Sequence, residues 1–283
     1  MEHQDTPNKL KALSIVLLIS AICLIGIIFY AGNWESIAQI NWKERIQQIS
    51  EAVKERIAPG PEMIEAGYEA VDMSHSMPVF MTTLEEGSMI DVPLISQEEC
   101  GYQTGCELVS GAMVLQYYGT EASPQDVYEV IPKSLTNWNA DGTGADPRQV
   151  FIGDPQGMGG YGCYADPLID AMNQLLNEEW HAINISGTSL AELEEGYLKK
   201  GTPVIIWTTI HMMEPGNGKR WKLQDGTEFQ WIAGEHCLVL VGADEDYYYF
   251  NDPNYAGEVV GYERKTVEER YRQLGKQAII ISR

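Results

Sequence analysis

The tightest constraint on the fold of this chain is the order of its local signals: most helix starts come before residue 202 and the strand-like runs follow it. The segments PVIIWTTI (203 to 210), HCLVLVGA (236 to 243), DYYYFN (246 to 251), EVVGY (258 to 262) and QAIIIS (277 to 282) are short β-branched or aromatic runs between turn residues, and each predicts a strand. Helices are predicted from the first turn at Cys106 to Gly119, at Ser123-Pro124, at Asp166-Pro167, from Ser189 to near Gly201 and from Thr266 to near Gly275. In three of these, Thr104/Glu107, Ser189/Glu192 and Thr266/Glu269, a hydroxyl residue stands three before a Glu, the pattern of a capping box. Helices first and strands later predict an α+β domain.

A second feature precedes that domain. Residues 12 to 30, ALSIVLLISAICLIGIIFY, carry no charge and approach the roughly 20 residues that a helix needs to cross a bilayer. Phe29 and Tyr30 crowd its end, where a cleaved leader would show small residues, so an uncleaved anchor is expected. Lys9 and Lys11 sit just before it and the next basic residue is Lys43, which sets the N-terminus in the cytoplasm and the rest outside. The expected layout is a cytoplasmic N-terminus (1 to 11), a transmembrane helix (12 to 31), an amphipathic stalk or linker (32 to 87) and one main domain (88 to 283) in an extracellular position. Lipid contact is expected through the one helix.

Charge narrows the functional classes. The 283 residues carry a net −22, and no cluster of Lys and Arg could neutralise phosphates, so nucleic acid is not an expected partner. The five cysteines form no CxxC pair and the five histidines are scattered, so neither a metal nor another cofactor is expected. An extracytoplasmic domain would permit a bridge between Cys100 and Cys163.

Cys106 is the candidate nucleophile. It follows a Thr-Gly turn at a predicted helix start, where the N-terminal field lowers a thiol pKa. His236 opens a predicted strand, a rigid base for a catalytic group. Antiparallel pairing of 236 to 243 with 246 to 251 returns the chain toward its start and brings Asp252 near His236. On the same strand Asn251 alternates to the other side, so its loss is expected to be mild. Cys237 alternates away from His236 and is expected in the core.

These residues carry a resemblance. VPLISQEECGYQTGCELVSGAMVLQYYG (92 to 119), FIGDP (151 to 155), GYG (160 to 162), PVIIW (203 to 207), EHCLVLVGAD (235 to 244), NDP (251 to 253) and QAIII (277 to 281) resemble, in order, the second branch of the bacteriocin-processing, double-glycine peptidase-like family. That family is a group of papain-like cysteine peptidases. The resemblance implies a papain-like fold with a peptide or protein substrate, Cys106 as nucleophile, His236 as general base, Asp252 as its orienting partner and Gln97 as an oxyanion-hole donor. Gln103 is the alternative donor. Asp154, Trp207 and Trp231 are expected to line the substrate cleft. The same constellation would also serve an acyltransferase or a wall-peptide amidase, and a catalytically silent binding module on a stalk is the reading from another class.

Overall fold

The computed structural model describes residues 79–80 and 89–283, apart from 137, 138, 140, 158 and 256. The expected transmembrane helix and nearly all of the expected stalk lie outside the described residues. Among those described, no helix is long and apolar enough to cross a membrane.

A seven-stranded antiparallel sheet organises the domain. Its strands are β1 (Val79–Phe80), β4 (His181–Asn184), β5 (Val204–Thr209), β8 (Glu235–Ala243), β9 (Tyr247–Asn251), β10 (Val260–Glu263) and β11 (Ala278–Ser282). Their spatial order is β1-β10-β9-β8-β5-β11-β4, so the last strand in sequence lies inside the sheet, between β5 and β4. Two small pairs stand apart: β2 (Lys133–Ser134) with β3 (Phe151–Ile152), and a hairpin of β6 (Gly216–Lys222) with β7 (Glu228–Ala233). The hairpin was not expected, although Asp225-Gly226 is a turn signal and the flanking Trp221, Phe229 and Trp231 suit strands.

Strand alternation divides the core in two. From β8, Cys237, Val239 and Val241 face the side that holds α1 (Cys106–Tyr117) and α3 (Ala165–Leu175). Leu238 and Leu240 face the other side, which α4 (Leu190–Gly196) and α5 (Arg264–Gln273) cover. Both faces of β8 are therefore buried, which explains its nearly continuous apolar run. Burying side chains of this size contributes roughly 1.5–3 kcal/mol each, enough to make β8 a stiff platform for whatever stands at its start.

The local signals had mixed outcomes. Ser189 forms the expected capping box with Glu192, and Ser123 forms one with Asp126 at α2 (Pro124–Val130). The two Thr-led boxes do not form. Gly105 is the N-cap of α1, with no side-chain cap; Thr104 Oγ1 turns instead to the carbonyls of Gly157 at 3.1 Å and Asp154 at 3.4 Å. Helix α5 starts at Arg264, two residues before Thr266, and its N-cap Glu263 has no cap bond either. In the first case the reason lies in Glu107, whose carboxylate is drawn inward by buried partners and cannot reach back over the helix end.

Candidate active site

Cys106 stands at the first position of α1 and His236 is the second residue of β8; Ser110 of the helix donates to the carbonyl of Cys237, holding the two elements together. Gly105 lets the chain turn tightly into the helix, since a Cβ there would lie 2.9 Å from the Cβ of Tyr102. The turn is braced from the far side, where Thr104 N–H donates to Pro155 O at 3.0 Å and the absent Cβ of Gly160 leaves room for Thr104 Oγ1. This is a rigid mounting for one sulfur.

The histidine is equally fixed. His236 is only 2% exposed, and its Nε2 lies 2.7 Å from Oδ1 of Asp252, itself buried just beyond β9. Asn254 adds a contact from Nδ2 to His236 Nε2 at 3.3 Å and donates its backbone N–H to Asp252 Oδ1 at 2.9 Å. Tyr262 OH donates to Asp252 Oδ2 at 3.3 Å. Burial pushes the Asp252 carboxyl up, but the charge of His236 and the hydrogen bonds from His236 and Asn254 outweigh it and hold the carboxyl below its ordinary value. With Nε2 engaged by Asp252, Nδ1 is the ring nitrogen left for proton transfer.

Cys106, His236 and Gln97 line one cavity of about 370 Å³, with Gln103, Asn254 and Trp231 also on its wall. Gln97 is tied to the same corner by its N–H, which donates to Pro253 O at 2.9 Å, and its Nε2 donates to Gln103 O at 3.2 Å. The sequence left Gln97 and Gln103 as alternatives, and both face this space.

Two of the expected cleft residues are elsewhere. Trp207 is fully buried in β5 and its Nε1 donates to Cys163 O at 3.0 Å; a strand covered on both faces gives no sequence clue to which side holds the cleft. Asp154 is exposed and off the cavity wall, where its Oδ1 accepts from Gln156 N at 3.0 Å. Trp231 does line the cavity, stacked on Tyr164 with ring centroids 5.6 Å apart.

Other expectations change as well. Cys100, Cys106, Cys163 and Cys237 are all free; Cys163 is buried while Cys100 is exposed, so the bridge that the sequence left open between Cys100 and Cys163 is not made. The Cys106 thiol is not lowered. Burial pushes it well above its ordinary value, and the charges of Glu107 and Glu235 push it further. Sequence reading gave neither carboxyl a place at the sulfur: Glu107 was read as part of a capping box, and Glu235 only as the residue before the His236 strand. Cys106 Sγ donates to Glu107 Oε2 at 3.4 Å and accepts from Cys237 N–H at 3.4 Å. Cys106 Sγ and one carboxyl oxygen each of Glu107 and Glu235 lie within 4.8 Å of one another, the one such group among the described residues compact enough to hold a metal ion.

Comparison with known proteins agrees with this architecture. Residues 89–279 match the model of the Peptidase_C39 like family. The uncharacterised protein YvpB of Bacillus subtilis (strain 168) is 30% identical over 202 residues, which cover 69% of this chain and 76% of YvpB. A crystal structure described as a C39-like peptidase from Bacillus anthracis superposes with a TM-score of 0.62 at 29% identity, covering 73% of this chain and 98% of that one.

Proposed function

The chain belongs to the Peptidase_C39 like family, and we propose that its domain cleaves peptide bonds outside the cytoplasm, held to the membrane by one helix, through Cys106, His236 and Asp252. It is a cysteine peptidase with the papain-like mixed fold. The observation that carries the residue assignment is the pairing of His236 Nε2 with Asp252 Oδ1 at 2.7 Å, with His236 and Cys106 on the wall of one cavity.

The chemistry follows from those positions. Cys106 gives its proton to His236, and the thiolate attacks the substrate carbonyl. The oxyanion forms beside the start of α1, where first-turn N–H groups have no intrahelical partner, and the Gln97 amide on the same cavity wall is the side-chain donor, with Gln103 the alternative. His236 then protonates the leaving amine, and water resolves the acyl-enzyme with His236 as base. Asp252 keeps the ring oriented throughout.

Anchoring and outward orientation rest on the uncharged run from Ala12 to Tyr30 and on Lys9 and Lys11 ahead of it. Peptide-cleavage profiling with the full chain tests the activity and the nucleophile together. Cys106→Ala is expected to lose cleavage by on the order of 10³-fold or more, while Cys100→Ala retains it. The reverse result would overturn the assignment of Cys106.

A further inference from the structure

Two carboxyl groups press on the sulfur from different elements. Glu107, the second residue of α1, is fully buried, and Glu235, the first residue of β8, is 9% exposed. Among the described residues neither forms an ion pair with Lys, Arg or His, and Glu235 Oε1 has no hydrogen-bond partner. The niche for Glu107 is built to measure. A Cβ on Gly162 would fall 2.1 Å from Glu107 Oε1, while Cys163 N–H donates to that oxygen at 2.7 Å. Gly162 has φ +97°, the left-handed region where glycine is at ease. Trp207 in turn braces Cys163 through its carbonyl. Such a cradle holds Glu107 Oε2 against Cys106 Sγ.

Two buried carboxylates this close cannot both ionise at little cost, because each is poorly solvated and each repels the other. The surroundings offer little to compensate. From α1 the sulfur of Cys106 faces the pair; from β8 come His236 and Cys237; from the loop before α3 come Cys163 and Tyr164. Lys219 on β6 and Tyr161 line the same cavity, and Asp252 pairs with His236.

We propose that Glu107 and Glu235 share a single proton and act together as positioning residues for Cys106, supplying an O–H donor to its sulfur when the thiolate forms. Burial acts in the same direction on both groups, pushing Glu107 up to about 7 and Glu235 well above its ordinary value, with Glu107 adding to the shift of Glu235. In the resting state the thiol donates to Glu107 Oε2. When the thiol proton passes to His236, that hydrogen bond is lost and the pair's own proton turns to the sulfur. No proton leaves the cluster, and the buried thiolate keeps two donors, this O–H and Cys237 N–H. The role in catalysis rests on the reading of Cys106 as the nucleophile; the shared proton itself does not.

The test is the pH dependence of Cys106 alkylation by iodoacetamide in the full chain, followed by mass spectrometry of the peptide that contains Cys106. A pair sharing one proton carries one negative charge, and replacing either member by Gln leaves one carboxylate and one amide donor, again one negative charge. Glu107→Gln and Glu235→Gln alone should therefore leave the alkylation midpoint within about half a pH unit, whereas the double variant removes the charge and lowers it by about one to two units. Equal downward steps in each single variant would mean two independently ionised carboxylates, and no shift in the double variant would mean that the pair has no hold on the sulfur; either overturns the proposal. Infrared difference spectroscopy of the unmutated chain covers the case in which the double variant fails to fold. A protonated-carboxyl band at neutral pH that is lost in either single variant supports the shared proton, and absence of the band overturns it. Should Cys106→Ala retain peptide cleavage, the nucleophile reading falls while the alkylation and infrared results keep their meaning.

Discussion

The backbone N–H of Cys237 donates to Sγ of Cys106 across 3.4 Å, so the residue after the candidate base holds the candidate nucleophile. A strand placed against a helix start thus sets both candidate groups with one contact. The sulfur of Cys106 and the ring of His236 are carried by α1 and β8, and Ser110 Oγ donating to Cys237 O at 3.1 Å keeps those two elements in register. Small changes at this seam should act on catalysis before they act on folding.

The most direct test of the ring's orientation is at Asp252. Asp252→Asn keeps an oxygen that can accept from His236, so most of kcat/KM should remain. Asp252→Ala removes the acceptor and should cost on the order of 10- to 1000-fold, the range that small misalignments of reacting groups produce. If both variants match the unmutated enzyme, Asp252 does not orient His236.

Asn251 should act on stability instead. The sequence expectation of a mild effect on activity stands beside a structural role: its Nδ2 donates to Val92 O at 2.7 Å and Pro93 O at 3.4 Å, pinning the strip that leads to Gln97. Asn251→Ala leaves a buried carbonyl without its donor and should destabilise the domain by about 1–3 kcal/mol. A lower denaturant midpoint at unchanged m-value is the expected result; an unchanged midpoint would show that the strip needs no pin.

The pH dependence of stability has a definite sign. Glu107 is pushed up from 4.5 to about 7 by burial, so between those values the folded chain keeps a proton that the unfolded chain has released. Its stabilising contribution is complete below about 4.5 and disappears as pH rises through about 7. Glu235 acts in the same sense. Asp252, held below its ordinary 3.8, acts in the opposite sense and loses its contribution only in stronger acid. Denaturant titrations from pH 4.5 to 8 should show stability falling, and Glu107→Gln should flatten that slope; an equal slope in the variant would place the proton elsewhere.

Topology can be tested on intact cells. If the run from Ala12 to Tyr30 spans the membrane behind Lys9 and Lys11, as proposed, protease added outside should digest the peptidase domain. Protection until the membrane is permeabilised would reverse the orientation.

Much of the candidate site's geometry was legible because its signals are local. A Cys after Thr-Gly at a helix start and a His opening an apolar strand each declare themselves in a few residues, and one antiparallel return brings Asp252 back to His236. The carboxyl pair was not legible. Glu107 three residues after Thr104 satisfies a capping pattern, and only the distant Gly162 and Cys163 reveal that its carboxylate points inward. Trp207 was misassigned for a related reason: Val204 to Thr209 are all buried, so alternation cannot identify the cleft side. Strand β4 went unnoticed because only Ala182 of its four residues is buried, leaving no alternating pattern to read.

The position of β11 has a consequence for how the molecule comes into being. Because residues 278 to 282 lie between β5 and β4, the sheet stays divided until this segment is delivered, long after Cys106 has been synthesised. A nascent chain that has made α1 and β8 but not β11 leaves an open edge on β5, directly beside the strand that carries His236. Chains truncated before residue 277 should therefore be digested more readily by added proteases than the full chain.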